Sequence, residues 1–165
     1  MSTSAGGEST GWGALVEISS EEERQAQMAK QYMAVAQMDE EERREALKKM
    51  AAAEYQLPDD KLRIFTDSRL KVWLTLESNQ AKTIAQSYDY VMRNGPGPWA
   101  MKRVSMVQTV TREWNVDQLE KLRDLIPSLI KEVPRPVVTS DTYTAGSQRD
   151  RSSAKPPVWQ FWKRK

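Results

Sequence analysis

Cysteine and histidine are both absent from the 165 residues. Without cysteine there is no disulfide, no thiolate nucleophile and no cysteine-ligated metal. Without histidine the usual zinc sites are excluded, as are imidazole general bases and a histidine pH switch. No apolar run approaches the roughly 20 residues a spanning helix needs. The N-terminal stretch lacks the basic-then-apolar order of a secretory signal. It is acidic and has no arginine before residue 24, which argues against a transit peptide. The expected setting is the cytoplasm or an equivalent reducing compartment. Nothing in the pattern reads as a strand, and no cofactor, metal site or small-molecule substrate is indicated.

What is present is an uneven distribution of charge. Residues 1–60 hold 13 acids and 6 bases, residues 61–138 hold 8 and 13, and residues 139–165 hold 2 and 6. The net charges are −7, +5 and +4 along a chain whose total is only +2. Such a polarised chain can fold its acidic part over its basic part, or present a basic surface to an anionic partner.

The expected fold class is all-α: a small irregular bundle of about five helices between flexible N- and C-terminal arms. Residues 1–18 read as a flexible arm carrying a short apolar cluster, Trp12, Leu15, Val16 and Ile18. That cluster should dock, either on the chain's own core or on a partner. Residues 19–57 read as an acidic helical hairpin. Ser19 or Ser20 with a glutamate three positions on, and Asp39 with Glu42, mark the two helix starts. Met28, Tyr32 and Val35 on the first helix and Leu47 and Met50 on the second supply a methionine-rich apolar stripe.

Residues 58–138 read as the helical core domain. Leu62, Ile64 and Phe65 are expected as anchors ahead of one long helix over 67–94, about 42 Å at 1.5 Å per residue. Asn94-Gly95-Pro96 should end it, with a left-handed cap at Asn94 or Gly95. A helix over 98–113 follows, with Ala100, Val104, Val107 and Thr111 facing inward. Asn115 and Gln118 cap a last helix that Pro127 breaks or restarts. The long helix, its antiparallel neighbour and the segment over 116–131 form the expected core. Residues 139–165 read as a flexible basic tail.

Few residues suggest chemistry. The carboxylate runs sit at helix starts, where they cap and favour the dipole. Asp59-Asp60 lacks the spacing of a calcium loop. Glu77 falls within the apolar spacing of the long helix, where it either lies at the edge of the stripe, the favoured reading, or pairs with a cation. The prolines of "GPGP" at 95–98 remove the amides a phosphate cradle needs. No catalytic or metal-ligating set emerges.

The end of the chain, "PPVWQFWKRK", is the strongest functional signal. Trp159, Phe161 and Trp162 beside Lys163, Arg164 and Lys165 suit an anchor in a partner's pocket. They also suit a reversible contact with an anionic membrane surface, or a groove of the chain's own domain. Together with Trp12, these residues form the expected partner-binding set. The expected function is a non-catalytic accessory subunit, adaptor or assembly factor of a larger protein complex, peripheral on a membrane in one variant. The alternative is a helical nucleic-acid-binding protein using Arg69, Lys71, Lys102, Arg103 and Arg112. Acids on the last helix weigh against that alternative.

Overall fold

A computed structural model describes residues 11–127 of the chain. Among these residues a 3-10 turn over Trp12–Glu17 precedes six α-helices. They are α1 (Glu21–Ala36), α2 (Glu40–Glu54), α3 (Asp59–Thr75), α4 (Ser78–Asn94), α5 (Gly97–Thr111) and α6 (Val116–Leu125). The all-α expectation holds.

Local chemistry accounts for most of the ends. The side chains of Ser20, Asp39 and Asn115 each accept the backbone N–H three residues on, so α1, α2 and α6 start where orphan amides find an acceptor. Asn115 and Gln118 complete a reciprocal capping box. Ile126, held extended ahead of Pro127, ends α6. Gly95 is needed for closeness rather than for a left-handed cap. Its φ is −92°, and a Cβ there would lie 2.8 Å from the Val91 carbonyl oxygen and 3.1 Å from the Trp99 ring.

The long helix expected over 67–94 is two helices. It breaks at Leu76-Glu77, where Leu76 turns extended and packs half-buried against the core. The Thr75 hydroxyl donates to the Val72 carbonyl at 2.8 Å, a local bond that competes with helix continuation. The segment Leu62–Phe65 is no preface to a helix but lies inside α3, with Leu62 and Phe65 buried and Ile64 on the outer face.

The packing order also differs from the expected three-helix core. The helix α3 packs on α1 and α5, α4 packs on α2 and α1, and α6 bridges α3 and α4. Side chains from both sides of the 57/58 division share one core, including Met28, Tyr32 and Leu47 with Phe65, Trp73 and Ile84. All the described residues fall in one compact unit. On α5 the inward face is Arg103, Val107, Val110 and Thr111, rotated from the expected Ala100–Val104 stripe, and Met101 is 76 % exposed.

Candidate functional site

The core is organised around aromatic rings. Trp12 meets Tyr32 and Phe65 edge-on at 4.9 and 5.2 Å between centroids. Tyr32 meets Trp73 at 6.0 Å, and Trp73 meets Tyr88 at 5.3 Å, again edge-on. Such edge-to-face pairs contribute beyond their buried area. The series carries the 3-10 turn into the core, and Arg24 fixes it there. Its guanidinium donates to the Ile18 carbonyl at 2.6 Å and to the Ser68 hydroxyl at 2.9 Å. Of the two dockings open to Trp12, the structure shows the one on the chain's own core. The ring is buried there.

At the inner end of the series lies a charged centre. Arg69 of α3 and Glu54, the last residue of α2, are 1 % and 0 % exposed in their side chains, with Arg69 Nε 3.1 Å from Glu54 Oε1. Their geometry is that of an ion pair rather than of an aligned hydrogen bond. The Arg69 guanidinium sits 4.9 Å from the Trp73 ring centre and 4.7 Å from that of Tyr88. The two aromatic faces attract the cation by their quadrupoles. Tyr88 donates its hydroxyl to Glu54 Oε2 at 3.3 Å, and the Tyr55 and Tyr88 hydroxyls are 3.1 Å apart.

Burial dominates the ionisation of this centre. It pushes the Glu54 carboxyl above the usual carboxylate range, against the pull of Arg69 and the Tyr88 hydrogen bond. Burial is the largest single influence on Arg69 and penalises its charge, but Glu54 together with Tyr88, Tyr55 and Tyr32 more than offsets it, and the guanidinium holds its proton more firmly than usual. Desolvation raises the Tyr32 and Tyr88 phenols and lifts Tyr55 to about 12.

The residues offered for nucleic acid do not converge on a surface. Arg69 is sealed inside. Arg103 is buried and pairs with Asp89 at 2.7 Å. Lys71 lies between Glu21 and Asp67 at 2.8 and 2.7 Å. Lys102 is half-buried and donates to the Tyr55 carbonyl at 3.4 Å. Arg112 alone of the five is exposed. Of the five positions two are buried, two are half-buried and one is exposed. Glu77 is likewise displaced from its expected apolar stripe: it is exposed, in the N-cap position of α4, and its side chain accepts no capping bond.

Sequence reasoning missed the Glu54–Arg69 centre, although a signal for it exists. Glu54 stands on the same helical face as Leu47, Met50 and Ala51, and Arg69 stands three or four positions from Phe65, Thr66, Val72 and Trp73. A charge inside an apolar stripe on each of two helices is the mark of a buried pair.

Among the described residues no group of three or more metal-ligating side chains comes together, and no helix is long and apolar enough to cross a membrane. Trp159, Phe161, Trp162, Lys163, Arg164 and Lys165 lie outside the described residues, as do Leu129 and Ile130. No family model matches the chain, and no curated protein or solved structure matches it either.

Proposed function

We propose that this chain is a non-catalytic accessory subunit, adaptor or assembly factor, anchored to a larger protein complex through Trp159, Phe161 and Trp162. Lys163, Arg164 and Lys165 add attraction to acids at the rim of the partner's pocket. The observation that carries the reading is the division of aromatic residues along the chain. Within the described bundle Trp12, Tyr32, Trp73 and Tyr88 pack on one another, Tyr55 stacks with Trp99, and the Trp114 indole donates to Asp67 at 2.9 Å. The remaining two tryptophans and Phe161 are gathered within four positions at the other end of a polar stretch, beside three cations. Tryptophan in a partner's pocket is an efficient source of binding energy.

A catalytic reading has less support. The ionisable groups that converge in the core, Glu54, Arg69 and Tyr88, are sealed from solvent. The binding of an anionic membrane surface is a second use of the same aromatic-basic pattern.

Affinity capture from native extract tests the proposal, with the full chain beside its Trp159→Ala/Phe161→Ala/Trp162→Ala variant. The expected result is loss of a defined co-purifying subunit from the variant, reproduced by competition with a 156–165 peptide. Identical partners with and without the three rings contradict it. Retention by vesicles containing anionic lipid, lost in the variant, assigns the rings to the membrane instead.

A further inference from the structure

We propose that the groove between α1, α3 and the end of α5 is a docking surface for a partner segment carrying a lysine or arginine beside one apolar side chain. This inference goes beyond the tail reading, because every residue it uses lies between 17 and 113.

The groove encloses about 610 Å³, within the roughly 300–1,000 Å³ of ligand clefts. Ile64 lies in it with 47 % of its surface exposed, above the buried Val110. Asp60 and Asp67 flank Ile64 on the same face of α3, four positions before and three after. Glu21 on α1 and Glu113 beyond α5 add two further carboxylates.

The cations already present are committed. Arg24 is buried and turned inward to Ile18 and Ser68. Arg63 reaches Glu113 at 2.5 Å, and Lys71 is shared between Glu21 and Asp67. With Lys71 counted, four carboxylates face three cations, one of them turned inward. Asp60 makes no ion pair among the described residues: the neighbouring Lys61 feels its charge but is paired with Glu17.

The chemistry of the occupant follows from that pairing. A purely apolar segment over Ile64 would desolvate Asp60 without a partner, which is costly. A purely cationic segment would leave Ile64 in water. A segment with both groups covers the isoleucine and supplies the missing cation, so charge complementarity sets its register.

The test uses the isotope-labelled full chain and a synthetic ten-residue peptide of lysines and leucines. Two control peptides replace every lysine by glutamate or every leucine by serine. The expected result is saturable movement of the Asp60, Arg63, Ile64 and Glu113 amide signals by the first peptide alone. The exposed-site variants Ile64→Ser and Asp60→Asn should each weaken that binding about tenfold, with helical content unchanged. Equal binding of a control peptide reduces the effect to general charge or general stickiness and overturns the proposal. So does movement centred elsewhere, or no saturation at millimolar peptide.

Discussion

Arg69 and Glu54 form an ion pair across the helices α2 and α3, 3.1 Å apart and closed off from solvent. Two charges taken from water cost more to bury than two apolar groups, and their attraction offsets the cost only while both are present. Removing one partner is therefore the damaging change. Glu54→Met is expected to lower the unfolding free energy by about 3–5 kcal/mol, and Arg69→Met by a similar amount. The double variant Glu54→Met/Arg69→Met should be more stable than either single variant. Denaturant unfolding of the four proteins measures the coupling. Simple addition of the two single losses would mean that the pair is not a unit.

The buried phenols make a prediction at alkaline pH. Tyr32, Tyr55 and Tyr88 are raised by desolvation, Tyr55 to about 12. Their folded values lie above the unfolded value of about 10. The native state therefore binds more protons above that pH. The stability these neutral rings contribute is complete below about pH 10 and is lost as pH rises through the folded values. Unfolding free energy should fall between about pH 10 and 12, less steeply in Tyr55→Phe. Tyrosinate absorbance followed with helical circular dichroism checks this. Ionisation of all five tyrosines near pH 10, with the helices intact, would contradict it.

The break between α3 and α4 gives a third prediction. Glu77 has the extended backbone of an N-cap, φ −56° and ψ 138°, but its side chain accepts no amide of the following turn. Glu77→Ser should supply that acceptor and stabilise the chain by about 1 kcal/mol. In an unbroken helix the same change would place serine in the interior and cost a few tenths of a kcal/mol. The sign of the shift in thermal midpoint separates the two.

That break also shows where sequence stops being legible. Apolar residues recur from Leu70, Trp73 and Leu74 on to Ala81 and Ile84 without a glycine or proline between them. Periodicity alone therefore continues the helix. The division goes with a tertiary contact, Leu76 turned toward the core, together with a local bond from Thr75 back to Val72 that periodicity does not register. Caps were readable because their chemistry is local, as at Ser20, Asp39 and Asn115. The Arg69–Glu54 pair was not, because charge reads by default as surface and its partners lie 15 positions apart on different helices. Trp12 was half legible. Its apolarity required a dock, but only the ring contacts with Tyr32 and Phe65 show which one.

The division between a self-sufficient bundle and an aromatic anchor is tested most directly by the stability of the Trp159→Ala/Phe161→Ala/Trp162→Ala variant. If the three rings serve another surface, its unfolding free energy should match that of the unaltered chain within about 0.5 kcal/mol. A loss on the order of 3–5 kcal/mol for each ring, the usual cost of emptying an aromatic site in a core, would place them in the chain's own interior and contradict the account.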